Sequence, residues 1–279
     1  MIGCGDIAQR VAAQLGVEHF HCAGLRRDTK RLVTGIAPLA LDLNQPGDYD
    51  PALFAGYDLV LLTLTPNQRN EAGYRQAYIT NLQKVLRALG SASHPPSRLL
   101  FMSSTSVYGQ NAGDWVDEDS ETLPREFNGK ILLEAEALVA NSGLEHTVIR
   151  SAGIYGPGRL RLLDQVREGQ WPARDQYQYS NRIHADDCAA FIAQLAHQYR
   201  RGEQWQPLYL ATDCEPVLLA EVKQWLAVEL QLSVPPLPSE NNKQSFTNKR
   251  CSNRRMLDSG YQFIYPTFRQ GYRNLIKLP

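Results

Sequence analysis

The alternation of short apolar runs with helical patterns along the first 200 residues constrains the fold most. Five runs have the usual length and composition of β-strands, at 19–25, 36–43, 57–65, 98–104 and 146–152. Between them, apolar residues recur with helical periodicity at 6–15, 71–89 and 129–141. Strands that alternate with helices predict an α/β fold, a doubly wound parallel sheet with helices on both faces.

Composition excludes several other classes of protein. The chain is 43% hydrophobic and 21% charged, and its 29 basic residues balance 29 acidic ones, so a dedicated binder of nucleic-acid phosphates is not expected. No apolar run reaches the ~18–20 residues that span a membrane, and no secretion signal is visible at the start. Five cysteines without a C-x-x-C pair predict free thiols, no metal site and a cytoplasmic location.

The opening loop carries the most informative motif. Gly3-Cys-Gly5-Asp6-Ile7-Ala fits the G-x-G-x-x-G/A dinucleotide fingerprint and leads directly into a helix. The first glycine allows a tight turn, and the second lets the backbone approach a diphosphate at the positive end of the helix. We therefore expect a Rossmann-type domain that binds NAD(P), with Gly3, Gly5, Asp6 and Ile7 at the cofactor.

Only Met1 and Ile2 precede this loop, although the fingerprint normally follows a strand of about five residues. That strand would lie at the centre of the sheet. Two explanations remain open: a start assigned too late, or a chain that lacks its central strand and binds cofactor poorly.

The residues that follow the run 19–25, the second strand once the missing first strand is counted, indicate which nucleotide binds. Arg26 and Arg27 precede Asp28 there, and arginine suits a ribose 2′-phosphate whereas an acidic residue suits the 2′-hydroxyl. The pattern favours NADP over NAD, while Asp28 keeps NAD open.

Three further segments, with the glycine loop, resemble the extended short-chain dehydrogenase/reductases, the NAD-dependent epimerase/dehydratase family. They are FMSSTSVYG at 101–109, VIRSAGIYGPG at 148–158 and NRIHADDC at 181–188. The order of the motifs matches the family along nearly the whole chain, and the G-x-G-x-x-A loop looks like that of its atypical members. The resemblance places Asp42 beside the adenine ring. It also places at the cofactor Ser103 and the residues that end the run 57–65, which are Thr63, Leu64 and Thr65.

The resemblance also implies a catalytic Ser, Tyr and Lys, of which only the serine is matched, by Ser104. Asn128 occupies the Tyr position and Leu132 the Lys position. Lys130 lies ~200° around the helix from position 128 and is expected to face away from the site. Asn128 can hydrogen-bond a substrate but cannot act as a proton-transfer acid near neutrality.

Other candidates have both functional and structural interpretations. Tyr108 and Tyr155 fall in turns close to the expected site and could replace the missing phenol, although packing that anchors their loops is favoured. Arg159 and Trp171 follow the Tyr-Gly-Pro-Gly turn, where the resemblance implies a substrate cleft, yet Arg159 could equally be a solvated surface charge. His184 with Asp186 suggests an acid/base pair or metal ligands, or alternatively a helix start in which Asp186 is the N-cap.

Together these features predict an atypical NAD(P)-dependent oxidoreductase or epimerase/dehydratase that acts on a small or nucleotide-linked substrate. The alternative is a catalytically silent NAD(P)-binding redox sensor or regulatory protein. We expect residues 1–155 to form the Rossmann domain, 181–212 to return to it, and 156–180 with 213–279 to form a smaller C-terminal α/β substrate lobe. By resemblance, helices 71–89 and 129–141 would form a homodimer interface.

Overall fold

The computed structural model describes residues 1–170, 178–234 and 248–277. Its helices are α1 (Asp6–Leu15), α2 (Glu71–Arg75), α3 (Leu82–Gly90), α4 (Phe127–Ala140), α5 (Arg161–Arg167), α6 (Ala185–Arg200), α7 (Leu219–Glu229), α8 (Arg254–Asp258) and α9 (Phe268–Lys277). Its strands are β1 (Cys22–Arg26), β2 (Ile36–Ala40), β3 (Leu59–Leu62), β4 (Arg98–Ser104), β5 (Asp114–Val116), β6 (His146–Ser151), β7 (Gly153–Tyr155), β8 (Tyr179–Ser180), β9 (Arg182–His184), β10 (Leu208–Ala211), β11 (Val217–Leu218) and β12 (Lys249–Cys251). No helix in the described ranges combines the length and the apolar character needed to cross a membrane.

The predicted parallel α/β sheet is confirmed. One sheet has the strand order β10-β6-β4-β3, with β3 parallel to β4, and β1 pairs in parallel with β2. Strands β1, β3, β4, β6 and β10 are short apolar runs that are largely buried, as expected when helices cover a parallel sheet, whereas β2 is mostly exposed.

The chain divides into two compact units. The first contains 1–107, 126–150 and 189–209, and the second contains 108–125, 151–188 and 210–279. The first unit holds β1, β2, β3, β4 and nearly all of β6, and the second holds the short parallel pairs β5–β12 and β7–β9. The second has its own apolar core, formed by nine buried residues: Tyr155, Leu163, Val166, Val222, Leu226, Ala227, Phe268, Tyr272 and Leu275.

Ile2 joins the two parts of the parallel sheet. It forms isolated parallel bridges to Leu25 in β1 and to Leu62 in β3. Its amide donates to the Leu61 carbonyl (2.8 Å), and the Leu25 amide donates to the Met1 carbonyl (2.9 Å). The ladder at the centre of the sheet therefore rests on two residues.

The position of the Met1 amino group adds an electrostatic cost. This group donates to the Ala23 carbonyl at 2.8 Å, and burial lowers its pKa from the ordinary value of 8.0. Because the native state then binds fewer protons than the unfolded chain, the free energy of unfolding falls as the pH drops below 8.0.

Extending the chain before Met1 by about five strand-forming residues is expected to raise the melting temperature by several degrees. The added strand would continue the ladder between β1 and β3 and move the amino group away. The gain should be larger at pH 6 than at pH 8.5, because only the protonated amine is costly to bury. A Gly/Ser extension of equal length is the control. The expectation would be contradicted if the strand-forming extension raised the melting temperature no more than the Gly/Ser control does.

Candidate functional site

The first turn of the chain has a geometry that only glycine permits. Gly3 has φ +77°, and a Cβ placed on it would lie 2.7 Å from the Thr63 carbonyl oxygen, closer than real Cβ contacts come. The turn is fixed by bonds from the Gly3 amide to the Leu25 carbonyl (3.1 Å) and from the Thr63 hydroxyl to the Gly3 carbonyl (2.8 Å). Packing of the loop against β3 thus explains the first glycine of the motif.

Gly5 requires a different explanation. It is the N-cap of α1 with an ordinary φ of −92°, and the nearest atom to a Cβ there would be the Gly3 carbonyl oxygen at 3.7 Å. Neither its backbone conformation nor internal packing requires glycine. The open space beside it, at the positive end of a helix, suits the close approach of an anionic group such as a diphosphate.

A cavity of about 1060 Å³ opens at this turn, within the first unit. Eight of the predicted cofactor residues line it together: Gly3, Gly5, Arg26, Arg27, Asp42, Thr63, Leu64 and Thr65. Cys4 of the glycine motif and Asp28 also line it. The lining further includes polar residues that the sequence motifs did not indicate: Arg31, Asn44, Asn67, Gln68, Gln76 and Asn81.

Three predicted cofactor residues do not line this cavity. Asp6 is exposed and pairs with Arg10 at 2.8 Å. Ile7 is buried in the apolar face of α1. Ser103 is buried, and its hydroxyl donates to Glu136 at 2.5 Å. These side chains shape or support the domain instead of facing the cavity.

The charged residues after β1 have distinct surroundings. Arg26 donates to the Cys4 carbonyl at 3.1 Å and so ties the end of β1 to the glycine turn. Asp28 accepts a bond from the Lys30 amide through Oδ1 (3.2 Å) and pairs with Arg31 through Oδ2 (3.1 Å). Arg27 is exposed and reaches Asn67 at 3.4 Å. Both Asp28 oxygens are therefore engaged, while three guanidinium groups line the same cavity.

Ser104 lies at the end of β4, and its hydroxyl oxygen accepts a bond from the Ser106 amide at 3.2 Å. That bond orients the oxygen and leaves the hydroxyl hydrogen to be donated. Asn128 is half-buried in the first turn of α4, Leu132 is buried, and Lys130 is exposed. Lys130 therefore points away from the face that buries Leu132, as the helical angle predicts.

A buried ionic cluster connects the elements that carry these residues. Arg150 on β6 binds Glu136 on α4, with Nη2 2.7 Å from Oε2 and Nε 3.1 Å from Oε1. Ser103 on β4 donates to the same carboxylate. The cluster fastens α4 to the sheet, a feature that no sequence motif indicated.

Three predicted substrate residues, Tyr108, Tyr155 and Arg159, lie in the second unit. Tyr108 is fully buried and donates its hydroxyl to the Asp117 carbonyl at 2.8 Å, so it anchors its loop. Tyr155 is buried, stacks on Tyr272 with ring centroids 4.5 Å apart, and has a pKa raised by burial. Arg159 is exposed in a turn, and Trp171 lies outside the described residues. The structure gives both tyrosines packing roles.

His184 and the two aspartates after it open α6. The helix begins at Ala185, so Asp186 lies inside it, and His184 Nδ1 accepts a bond from the Asp186 amide at 3.2 Å. The expectation of Asp186 as N-cap was therefore wrong by two positions. Asp187 is buried and accepts bonds from the Tyr261 hydroxyl (2.8 Å) and the Ile264 amide (2.7 Å), which anchors the later chain. Within the described ranges, no three His, Cys, Asp or Glu side chains could hold a metal ion.

Comparison with known proteins gives a consistent result. The family model described as NAD(P)H-binding matches residues 3–198. Protein YeeZ of Escherichia coli is 26% identical over 211 residues, 75% of this chain and 72% of its own.

Solved structures agree with the family model. One described as an NAD-dependent epimerase/dehydratase from Methylobacillus flagellatus is 36% identical, covers 99% of this chain and 96% of its own, and has a TM-score of 0.81. The human epimerase family protein SDR39U1, solved with NADPH, shares the fold at 19% identity, with full coverage of both chains and a TM-score of 0.77. The chain belongs to the NAD(P)H-binding family and is of the NAD-dependent epimerase/dehydratase type.

Proposed function

We propose that this protein is an NADP-dependent oxidoreductase or epimerase/dehydratase that acts on a small or nucleotide-linked substrate. The observation that carries the proposal is one cavity in which a glycine turn, the start of α1 and three arginines come together. The turn and the helix start suit a diphosphate. A bound nicotinamide would supply or accept a hydride.

The preference for NADP over NAD rests on the charges after β1. Asp28 already accepts from the Lys30 amide and pairs with Arg31, so a ribose hydroxyl would share its carboxylate with these two partners. Arg27 and Arg31 are exposed at the cavity, where a 2′-phosphate would pair with them.

Ser104 polarises the reacting substrate oxygen in this proposal. Its oxygen is fixed by the Ser106 amide, and its hydrogen is directed to the substrate. Asn128 adds a second hydrogen bond, and water completes proton transfer, because neither Ser104 nor Asn128 is an acid near neutral pH.

Replacing Ser104 by alanine is expected to lower turnover about 100-fold, the usual loss when a donor to developing charge is removed. Turnover is followed by the absorbance of reduced nicotinamide with carbonyl and sugar-nucleotide substrates, and NADPH affinity should stay unchanged. Ser106→Ala is the matched control and should retain turnover, since only its backbone amide contacts Ser104. Unchanged turnover in Ser104→Ala would contradict the role.

The presence of Asn128 and Leu132 on α4, where the family resemblance implies Tyr and Lys, favours a second candidate function. In this alternative the protein binds NADP(H) without catalysis and reports redox state to a partner. NADPH binding without turnover of any substrate in the same screen, together with capture of a defined partner, would favour the sensor over the enzyme.

A further inference from the structure

A group of buried polar atoms in the second unit has no hydrogen-bond partner among the described residues. The group comprises Nη1 and Nη2 of Arg182, the Tyr155 hydroxyl, Oδ2 of Asp213 and Oε2 of Glu215. Arg182 is 3% exposed, Asp213 1% and Tyr155 5%. A buried polar atom without a partner costs free energy, and a charged one costs more. These atoms therefore require a partner that the surrounding side chains do not supply.

The backbone brings the two charged groups side by side. The Asp213 amide donates to the Arg182 carbonyl at 2.7 Å, and Asp213 Oδ1 accepts from the Glu215 amide at 3.1 Å. Burial raises the pKa of the Asp213 carboxyl to about 7, although the nearby Arg182 charge lowers it. The two charges thus act on each other, yet Oδ2 and the two Nη atoms make no hydrogen bond to one another.

Aromatic rings and the backbone of α9 close the surroundings of this group. The Arg182 guanidinium carbon lies 5.1 Å from the centroid of the Phe268 ring. Tyr155 stacks on Tyr272 at 4.5 Å, and its hydroxyl lies where a Cβ on Gly271 would overlap it. Phe268 is 0% exposed and Tyr272 2%. Bulk solvent is therefore excluded, and only a small molecule fits among the unpartnered atoms.

The mixture of donors and acceptors decides which small molecule can satisfy them. A cation would be repelled by Arg182, and an anion would be repelled by the carboxylates of Asp213 and Glu215. The partner must accept from the guanidinium and donate to the carboxylates, so it is neutral and both a donor and an acceptor. Water has this chemistry, and a buried water typically makes about three hydrogen bonds to buried polar groups.

We propose that Arg182, Asp213 and Tyr155 form an internal water site, in which ordered water bridges the guanidinium to Asp213 Oδ2 and to the Tyr155 hydroxyl. The bridge links β7 and β9 to the chain that follows β10. It also gives a role to the arginine of the NRIHADDC segment, which no catalytic interpretation uses. The site belongs to the second unit alone and is independent of the proposed function.

A crystal structure at about 1.5 Å resolution tests the site directly. We expect density for a water within about 3.2 Å of an Arg182 Nη atom and of Asp213 Oδ2. A direct hydrogen bond between these two side chains would overturn the proposal. Soaking crystals in rubidium bromide distinguishes water from an ion, because either ion would give an anomalous peak. Such a peak between Arg182 and Asp213 would also overturn it.

Variants of Asp213 test the bridge in solution and in crystals. Asp213→Asn keeps an acceptor oxygen and the size of the side chain, so it should fold and retain the water. Asp213→Leu removes the acceptor and should lower the melting temperature by several degrees. Adding Arg182→Met should restore most of this loss, because the unpaired buried charge is then removed as well.

Asp114→Leu is the matched control. Asp114 lies in the same unit and is exposed, so its replacement should leave the melting temperature nearly unchanged. If Asp213→Leu does not fold, the crystal structure of Asp213→Asn decides. Absence of the water from that structure, or equal melting temperatures for Asp213→Leu and the control, would contradict the water bridge.

Discussion

Replacing Gly3 by alanine is expected to weaken dinucleotide binding at least ~100-fold, about 3 kcal/mol. The new Cβ would lie 2.7 Å from the Thr63 carbonyl oxygen and 3.1 Å from its carbon, so the turn must move away from β3. Thr63 itself is held to the sheet, because its amide donates a hydrogen bond to the Ile2 carbonyl (3.0 Å), and it cannot readily move away. The positive φ adds ~1–2 kcal/mol of strain. Isothermal titration with NADPH measures the loss.

Gly16→Ala separates the effect on binding from backbone strain. Gly16 has nearly the same conformation, φ +76°, but a Cβ there meets nothing within 4 Å. It ends α1 away from the cavity lining. This variant should lose roughly 1–2 kcal/mol of folding stability from the same backbone strain and keep its NADPH affinity. Equal losses of affinity in the two variants would contradict the account of the turn.

Replacing Glu136 by glutamine is expected to reduce the free energy of unfolding by about 3 kcal/mol or more. The buried Arg150 guanidinium would then face a neutral amide instead of the carboxylate, which now accepts hydrogen bonds from both Nε and Nη2 of Arg150. Ser103 would also exchange a charged acceptor for a neutral one. Urea unfolding measures the loss. Because α4 carries Asn128 and β4 carries Ser104, turnover should fall as well.

The control lies on the same helix. Glu134 pairs with Arg75 at 3.2 Å, and both side chains are about half exposed, so Glu134→Gln should cost at most ~0.5 kcal/mol. Replacing the buried pair together, as Glu136→Leu with Arg150→Met, should recover much of the stability lost in Glu136→Gln. Similar unfolding curves for the Glu136 and Glu134 variants would show that the buried pair does not hold α4 in place.

The fold of the first unit could be predicted because its signals are local. Apolar periodicity predicted α1 with its observed bounds, and the run 98–104 coincides with β4. The two-stranded sheets of the second unit could not be predicted in this way. In their registers Lys249 of β12 lies opposite Asp114 of β5, and Arg182 of β9 lies opposite Gly153 of β7. Such short strands find their partners only through tertiary packing.

The candidate site shows the same division. Glycine spacing and strand ends indicated Gly3, Arg26 and Thr63, because backbone geometry and position at the sheet edge determine their roles. The bonds from Gln76 to Asn81 and from Asn81 to Asn44 could not be predicted, since nothing in local sequence distinguishes the π-helical turn Gln76–Asn81 from an α-helical one. Glu136 was also missed, because its counterion Arg150 comes from a strand 14 residues further along the chain.

Titration of the purified chain with NADPH and NADH tests the central claim most directly. We predict saturable binding of one NADPH per chain and loss of this binding in Gly3→Ala. NADPH should bind at least about tenfold more tightly than NADH, because a 2′-phosphate in the cavity would pair with Arg27 and Arg31. Failure of both nucleotides to bind at ~1 mM would mean a binding free energy weaker than about 4 kcal/mol. That result would contradict the assignment of the glycine turn as a dinucleotide site.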